Sequence, residues 1–411
     1  MRNYSKKISK CRICLSTNLV SILNLGDQPA ANSLKKKQFD KEKSFPLNVI
    51  VCEDCKTSQL SCTINPEILF QNYVWVTGTS KSTIDYLQYF YNKSKKYFSS
   101  KKNNILEIAS NDGSLLKIYK EKGHKILGVD PAKNISSIAN KKKLNTECGF
   151  FSYKLSKKNK KIAQYNPDLI IARNVIPHVE NIHSVVKGIS NIASNKTKVL
   201  IEFHYAKKII NDLQYDSIYH EHIFYFTIKS LSYLFKKYNF YPFDVFSSPI
   251  SGGSLVISFS KEKIKKTKSL LKYISSEKQK KINSISTWKK FGLSSIDHAE
   301  NFNAYLKKYK NPKVIGFGSS ARSSTFLNFC KLDNKTIDLI LDNNPLKNNK
   351  YTAGTDIKII SPNSFNFSNK YKYTFVILAW NFKKEILSYL KNLKLNGFIL
   401  IPFPKIKKTN L

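Results

Sequence analysis

The segment Tyr219-His-Glu-His222 is the densest group of side chains that could carry out chemistry. Two of the chain's seven histidines lie in it, on either side of Glu221 and just after Tyr219. A phenol, a carboxylate and an imidazole can together hold an enolate oxygen, orient a base and accept a proton. The spacing differs from the HExxH zinc pattern, so the segment predicts proton transfer and not metal binding.

Two CxxC pairs near the N-terminus predict a metal site. The pairs are Cys11 with Cys14 and Cys52 with Cys55, four of the seven cysteines of the chain. Each pair can turn two thiolates inward on a tight turn, and two such turns complete a tetrahedral zinc site. Four protein ligands leave no open position on the ion, so the zinc would be structural. The alternative is a pair of redox motifs, but neither pair opens a helix after a strand.

A strand, a polar loop and a helix follow in the middle of the chain. Residues Ile105 to Ile108 predict a buried strand, Ser110 to Gly113 predict a loop, and Ser114 to Lys120 predict a helix. This order is typical of the start of a doubly wound sheet. A second strand, Lys125 to Asp130, ends in an acid that can accept hydrogen bonds from the two ribose hydroxyls of a nucleotide-like cofactor.

The charge of the first loop indicates which cofactor it suits. It carries Glu107 and Asp112 with one glycine, Gly113, in place of the GxGxxG pattern that cradles a pyrophosphate. An acidic loop repels phosphate and suits a cationic ligand. S-adenosylmethionine has a sulfonium, an amino group and no phosphate, and is the predicted cofactor. The alternative is an ordinary doubly wound domain in which the acids are incidental.

Two more buried strands are predicted over Asp168 to Ala172 and over Lys198 to Phe203. Because ligands of parallel sheets bind at the carboxyl ends of the strands, polar residues at those ends should lie close together. The residues expected there are Asn111, Asp130, Asn174 and His178.

The last third of the chain repeats the order of strand, loop and helix. Lys313 to Gly318 predicts a strand ending in a GxG turn, with Arg322 at the start of the next helix. A later strand, Thr336 to Leu341, ends at Asp342, and Phe375 to Trp380 predicts another. The turn is weak evidence for a dinucleotide and better evidence for an anion at a helix N-terminus. The alternative is a purely structural turn.

The net charge of +41 over 411 residues invites a nucleic-acid interpretation, which the composition disfavours. Only four of the 69 basic residues are arginine, and the lysines are spread over nearly the whole length. Sequence-specific nucleic-acid-binding proteins usually concentrate positive charge on one face and use arginine for base contacts, so no specific nucleic-acid partner is expected. No apolar run is long enough to cross a bilayer, and the first residues lack the apolar core of a signal peptide. A cytoplasmic protein with reduced thiols and no membrane partner is expected.

The predicted fold class is α/β, since strands alternate with helical stretches. A small zinc-binding domain is expected over residues 1–70. A doubly wound, Rossmann-like methyltransferase domain is expected over residues 71–250. A second Rossmann-like domain is expected over residues 251–411.

The order of these motifs resembles the nucleotide-sugar C-methyltransferases, which include C3-methyltransferases acting on dTDP-4-keto deoxysugars. The resemblance covers essentially the whole chain. The matching segments are the two CxxC pairs, Tyr73 to Ser80, Leu106 to Gly113, Asn174 to Val179, Tyr219 to His222, Gly316 to Asn328, Asp342 to Lys347 and Ala379 to Phe382.

The resemblance implies a reaction and roles for named residues. A proton beside a 4-keto group is removed, and the enolate carbon then takes the methyl group of S-adenosylmethionine. His222 matches the general base, and Tyr219 and Glu221 match residues that polarise the ketone and orient the base. Residues that match the sugar pocket are His178 and Tyr73, with Trp75 as a second candidate for the latter. Cofactor contacts are expected from Glu107, Ser110, Asn111, Asp112, Gly113, Asp130 and Asn174. Contacts to a substrate expected to be dTDP-linked are predicted from Gly318, Arg322, Asn328 and Asp342.

Two departures from the family pattern leave the acceptor open. Where the family often has HGGSLR, this chain has Ser251-Gly-Gly-Ser-Leu-Val256, and the lysine of an AKG segment is Arg322. The sugar, the nucleotide and the methylated atom therefore stay undecided. A sugar oxygen or another small molecule is the alternative acceptor. A nucleic-acid methyltransferase is disfavoured because no (N/D)PP(Y/F) motif follows the mid-domain strand, and a non-catalytic scaffold has no need of the Tyr-His-Glu-His cluster.

Overall fold

The computed structural model describes residues 4–66, 69, 81–250, 252–308 and 313–411. Tyr73 and Trp75, with the rest of the segment from Tyr73 to Ser80, lie outside the described residues, as does Ser251. The strands of the described residues are, in chain order, β1 (Ser5–Lys7), β2 (Leu19–Pro29), β3 (Ser44–Cys52), β4 (Ser58–Leu60), β5 (Cys62–Ile64), β6 (Asn104–Ile108), β7 (Lys125–Asp130), β8 (Thr146–Cys148), β9 (Leu169–Arg173), β10 (Lys198–His204), β11 (Phe224–Tyr225), β12 (Tyr241–Ser248), β13 (Ser254–Ser260), β14 (Lys313–Phe317), β15 (Leu339–Leu341), β16 (Ile359–Ile360), β17 (Lys372–Ile377), β18 (Asn396–Ile401) and β19 (Lys407–Asn410). The α-helices of the same residues are Lys81–Ser94, Ser114–Glu121, Lys133–Lys141, Tyr153–Lys158, Lys160–Ala163, Ile182–Ile192, Ala206–Asn211, Ile228–Lys236, Lys268–Gln279, Ile285–Lys308, Ala321–Phe329 and Lys383–Asn392.

The central sheet has the strand order β12-β13-β10-β9-β6-β7-β8. Its strands run parallel except β13, which pairs antiparallel with both β10 and β12. Strands such as β9 are apolar and buried on both faces because helices cover the sheet on either side, as in doubly wound folds. The sheet includes β13 and therefore extends past residue 250.

The C-terminal sheet has the order β16-β15-β14-β17-β18-β19 and is parallel apart from β19. Two strands differ in extent from the sequence-based prediction. Residues Thr336 and Ile337 donate their N–H groups back to the carbonyl of Asp333, so they form a turn and β15 begins only at residue 339. The strand predicted from Phe375 starts earlier and ends at residue 377, and a short 3-10 helix covers Trp380–Phe382.

A third sheet, of order β11-β4-β3-β2, forms the N-terminal part together with the β1–β5 pair. Its edge strand β11 begins two residues after His222 and pairs with β4 through Phe224 and Gln59. The zinc-site segment is therefore joined by main-chain hydrogen bonds to residues that adjoin the Tyr-His-Glu-His cluster.

The apolar cores tie the three parts together. One buried cluster runs from Val49 and Leu60 of the N-terminal sheet, through Tyr215, to Phe326 and Phe375 of the C-terminal part. The observed architecture confirms the predicted α/β class, with a second parallel sheet after the methyltransferase sheet. Among the described helices, none combines the length and apolar character needed to cross a membrane.

Candidate active site and zinc site

The four cysteines of the CxxC pairs meet at one point. Their sulfur atoms all lie within 4.8 Å of one another. The Cys11 and Cys55 sulfurs are 3.6 Å apart, and those of Cys14 and Cys52 are 3.4 Å apart. Zn–S bonds of about 2.3 Å in a tetrahedron put sulfurs roughly 3.8 Å apart, so the donor set fits a structural four-cysteine zinc ion.

Neighbouring side chains hold the cysteine turns in place. The Gln59 amide donates to the Cys11 sulfur at 3.1 Å, as second-layer donors do around zinc thiolates. The His183 Nε2 lies 3.0 Å from the Ile13 carbonyl, and because a carbonyl can only accept, this nitrogen donates. His183 belongs to a helix of the central domain, so it fastens the first cysteine turn to that domain.

A cavity of about 2060 Å³ lies at the carboxyl ends of the central strands. This volume exceeds the roughly 300–1,000 Å³ that one small ligand usually occupies, so a cofactor and a substrate can share it. Predicted site residues that line it are Asn111, Asp130, Asn174, His178, Tyr219, Glu221, His222 and Arg322. The predicted strand-end residues therefore do lie together.

Asp130 stands at the cofactor side of this cavity. Its two carboxylate oxygens accept the backbone N–H groups of Asn111 at 2.9 Å and of Ala132 at 3.0 Å. Burial raises the pKa of this carboxyl from its ordinary value. Each oxygen keeps a further lone pair, so the residue can still accept ribose hydroxyls. Asn111 and Asn174 both have positive φ, of 52° and 50°, conformations that asparagine tolerates at strand ends.

Four residues predicted as cofactor contacts are placed behind the cavity and do not line it. Glu107 is buried and pairs with Arg173, its Oε1 3.0 Å from the guanidinium. Asp112 accepts the hydroxyl of Ser114 at 2.7 Å and so fastens the start of the helix Ser114–Glu121. The other two, Ser110 and Gly113, belong to the same loop and are absent from the lining.

His222 takes part in a short hydrogen-bonded chain. Its Nδ1 lies 2.8 Å from the carbonyl oxygen of Ser217, and its Nε2 lies 2.7 Å from the hydroxyl of Tyr219. Since the carbonyl can only accept, Nδ1 carries the proton, and Nε2 accepts the Tyr219 hydroxyl with its lone pair. The geometry therefore sets the neutral imidazole with a basic Nε2. The segment forms a turn closed by the His222 N–H, which donates to the Tyr219 carbonyl at 2.8 Å.

Two more imidazoles surround His222. The ring centroids of His178 and His204 lie 4.8 Å and 6.4 Å from that of His222. Burial lowers the pKa of His178 to about 4 and that of His204 to about 3. Burial first, and the neighbouring imidazoles second, lower the pKa of His222 well below its ordinary value. All three rings are therefore uncharged at neutral pH, and the His222 Nε2 carries a lone pair and no proton.

Glu221 brings an acid into the same cavity. Its Oε1 accepts the side-chain amide of Asn32 at 2.5 Å, across 189 residues of sequence. Burial raises the pKa of Glu221 to about 7, and the Asn32 hydrogen bond partly opposes the rise. His220 is turned away from the cavity and donates its Nε2 proton to the Phe45 carbonyl at 3.1 Å, a structural contact.

The C-terminal part supplies the opposite wall. Arg322 lines the cavity and makes a two-point ion pair with Asp216, with Nε and Nη2 at 2.9 and 2.7 Å from its oxygens. The other predicted substrate residues do not line it. Asn328 donates to the Ala353 carbonyl at 3.1 Å, Asp342 accepts the Ser319 N–H at 2.7 Å, and Gly318 packs against Ala379.

Sequence reasoning missed several residues that the fold brings to this site. Asn32 had no signal of its own, because its partner is remote in sequence. Asp216 and Ser217 lie just before the Tyr-His-Glu-His cluster, and this closeness in sequence was the available signal. Trp380 belongs to a segment that was predicted as a strand end and matched to the family pattern, but it was given no role at the site.

Comparisons with known protein families agree with this arrangement. Residues 11–70 match a family model described as a zinc binding domain. Residues 84–244 match a methyltransferase domain, and residues 249–404 match a C-methyltransferase C-terminal domain. The chain is 26% identical over 421 aligned positions to the C-methyltransferase NovU of Streptomyces niveus, with 98% of each chain covered.

Among solved structures, the chain is similar to the PH0226 protein of Pyrococcus horikoshii, with 17% identity and a TM-score of 0.38. That match covers 48% of this chain and 98% of the other. It is also similar to magnesium protoporphyrin IX methyltransferase of Synechocystis, with 11% identity, a TM-score of 0.32, and cover of 44% and 79%. The three family matches and the four-cysteine centre are the evidence on which the enzyme class is assigned. The chain is an S-adenosylmethionine-dependent C-methyltransferase with an N-terminal zinc-binding domain and a C-methyltransferase C-terminal domain.

Proposed function

We propose that the enzyme methylates a carbon beside the ketone of a nucleotide-linked 4-keto deoxysugar, with His222 as the general base. The main observation in support is the hydrogen-bonded chain from Tyr219 through His222 to Ser217, which leaves His222 with a basic Nε2. His222 lines the same cavity as Asn111 and Asp130. A carbon nucleophile requires an acidic C–H bond, and a neighbouring ketone is the simplest group that supplies one. The resemblance of the chain to nucleotide-sugar C-methyltransferases supports the choice of substrate class.

In this proposal the cofactor occupies the strand-end side of the cavity. Asp130 accepts the ribose hydroxyls, and Asn111 and Asn174 contact the rest of the molecule. Bound S-adenosylmethionine supplies an electrophilic methyl group. Residues 71–250 hold this cofactor, residues 1–70 hold zinc, and residues 251–411 face the nucleotide part of the substrate.

The protein then handles one proton and one developing negative charge. Entry of the ketone draws the Tyr219 hydroxyl from the His222 Nε2 to the substrate oxygen, which frees the Nε2 lone pair. That nitrogen accepts the proton from the adjacent carbon, while the Tyr219 hydroxyl donates to the enolate oxygen. A neutral, buried imidazole is a weak base for a C–H bond, so stabilising the enolate oxygen must lower much of the barrier.

His222→Ala tests the proposal. We expect kcat to fall on the order of 10²–10⁴-fold, the usual contribution of a general base. Affinity for S-adenosylmethionine should not change, because the strand-end residues are intact. A second measurement follows the exchange of the carbon-bound proton of a dTDP-4-keto-6-deoxysugar in D2O without the cofactor, and this exchange should also disappear.

His124→Gln is a matched control, because this histidine is also buried but accepts the Asn103 N–H outside the cavity lining. It should keep the rate and the exchange. Normal turnover in the His222 variant would overturn the assignment of the base. Methylation of a sugar hydroxyl, with no proton exchange in the native enzyme, would instead support an oxygen acceptor.

A further inference from the structure

Side chains of the C-terminal part contact the turn that contains Ser217, whose carbonyl accepts the hydrogen bond from His222. The 3-10 turn Tyr215–Ser217 lies between the helix Ala206–Asn211 and the Tyr-His-Glu-His cluster. Ser217 offers its carbonyl to the His222 Nδ1 proton. The side chain just before it, Asp216, is fully buried and points toward the C-terminal part.

Three donors converge on the Asp216 carboxylate. Arg322 supplies Nε and Nη2 in a two-point contact, and the Trp380 indole N–H donates to Oδ2 at 2.7 Å. The Arg322 guanidinium carbon lies 4.6 Å from the centre of the Trp380 ring, so the cation also stacks on the indole. A buried carboxylate with these partners has little freedom to move.

Another contact from the same helix holds the end of the turn. Thr325, one helical turn beyond Arg322, donates its hydroxyl to the Ile218 carbonyl at 2.8 Å. The helix Ala321–Phe329 therefore holds the chain on both sides of Ser217, through the Asp216 side chain before it and the Ile218 carbonyl after it. If the Ser217 carbonyl moves, His222 loses the acceptor that keeps the proton on Nδ1 and the lone pair on Nε2.

We propose that Asp216, Arg322 and Trp380 are positioning residues that hold the Ser217 carbonyl so that His222 keeps its Nδ1–H tautomer. This inference rests on the proposed role of His222 as the base. It gives the C-terminal part a share in catalysis besides any binding of substrate. It also assigns Arg322 a different task from the substrate contact predicted from sequence, since its Nε and Nη2 are committed to Asp216.

Kinetics of Asp216→Asn and Arg322→Gln separate the two roles of the arginine. If the cluster positions the base, both variants lose kcat on the order of 10²-fold, as expected for a small misplacement, with little change in KM. The double variant should lose no more than the worse single variant, because the two residues act as one unit. Arg322→Lys should recover only part of the rate, since lysine keeps the charge but not the two-point fork.

A spectroscopic measurement reads the tautomer directly and needs no substrate. NMR of protein with nitrogen-15 in its histidine side chains distinguishes the Nδ1–H tautomer from the Nε2–H tautomer. The signal of His222 is identified by its absence in His222→Gln. We expect Nδ1–H in the native enzyme and a mixture in Asp216→Asn. Trp380→Phe, which keeps the ring but removes the N–H, should give a smaller change in the same direction and serves if Asp216→Asn does not fold.

Asp356→Asn is the matched control. Asp356 pairs with Lys35 and so also joins the C-terminal part to the rest of the chain, but neither residue lines the cavity. This variant should keep kcat and the His222 tautomer. The proposal is overturned if Arg322→Gln raises KM with unchanged kcat, or if Asp216→Asn loses kcat while His222 stays Nδ1–H. Failure of the proposed function would look different, because His222→Ala would then turn over normally whatever the tautomer.

Discussion

The central and C-terminal sheets use the same local arrangement after their first strands. In the central sheet, the N–H of Asn111 after β6 donates to the carboxylate of Asp130, which ends β7, at 2.9 Å. In the C-terminal sheet, the N–H of Ser319 after β14 donates to the carboxylate of Asp342, just after β15, at 2.7 Å. In both cases the second carboxylate oxygen accepts the N–H two residues further along. The acid therefore closes a loop in each sheet.

The surroundings of the two acids differ. Asp130 lines the cavity beside Asn111, with space for a ligand. Asp342 does not line the cavity and has Lys347 3.3 Å away. Gly318, in the loop after β14, is closely packed, since a Cβ there would lie 2.3 Å from that of Ala379. An acid at a strand end is thus first a structural feature, and only open space beside it makes it a candidate ligand site.

Removal of zinc should have the largest effect and should separate the N-terminal part from both sheets. Cys52→Ser should lower the zinc content from one ion per chain and abolish turnover, because β11 and Asn32 connect this part to the His222 cluster. Calorimetric binding of S-adenosylmethionine should persist, since Asp130 belongs to the central sheet.

Cys148→Ser is the control for the zinc measurement, because Cys148 is exposed and is not part of the four-cysteine group. It should retain the full zinc content. Native protein that is folded and active without any metal would contradict the four-cysteine interpretation.

The comparison of the two acids is tested most directly by one substitution in each. Asp130→Asn should weaken the binding of S-adenosylmethionine by roughly 10–100-fold, the usual value of hydrogen bonds to a charged group. Asp342→Asn removes the equivalent acid of the other sheet and should leave this affinity unchanged. Isothermal titration of both variants measures the difference, and equal losses would show that the two loops are not functionally distinct.

The ionisation of Glu221 should have a smaller effect, a dependence of kcat on pH that neither Asp130 nor Asp342 causes. Its pKa of about 7 means that it ionises as the pH rises through neutrality. An ionised carboxylate in the cavity stabilises the imidazolium that forms when His222 accepts a proton, so kcat should rise several-fold across about pH 7. The profile of kcat against pH should lose this limb in Glu221→Gln.

Asn32→Ala tests whether the rise of kcat near pH 7 belongs to Glu221, because it should shift that rise in a known direction. Asn32 donates to the carboxylate and so favours its charged form, and its loss should raise the Glu221 pKa and move the limb to higher pH. A limb that stays in place in both variants would belong to another group.

Much of the fold could be predicted from local patterns. The strand from Lys125 to Asp130 has the predicted bounds, and the helix after Gly113 differs by one residue. Buried parallel strands are continuous apolar runs between turn residues, so their positions are written in the sequence. The β15 strand was predicted too long because Thr336 and Ile337 belong to the turn at Asp333. The Asp333 side chain also accepts the Lys335 N–H at 3.0 Å in this turn, a local signal that the prediction overlooked.

The predicted site residues do not all line the cavity, and those that lie outside its lining share a cause. Residues Glu107, Ser110, Asn111, Asp112 and Gly113 were predicted together as cofactor contacts. Of these only Asn111 lines the cavity, while Asp112 accepts the Ser114 hydroxyl and Glu107 pairs with Arg173. Which way a polar side chain turns depends on the neighbouring strand. That neighbour is 66 residues away for Glu107, beyond the reach of any local pattern.

The amino-acid sequence by itself determined the α/β class, the four zinc ligands and the segment that bears the candidate base. These depend on residue type and short spacing, which are local properties. Only the tertiary structure decided that Asn32 contacts Glu221 and that Arg322 forms an ion pair with Asp216. It also decided that Asp130, and not Asp342, lines the cavity. Those outcomes depend on packing between distant segments, where burial and hydrogen-bond geometry select one partner among many polar groups.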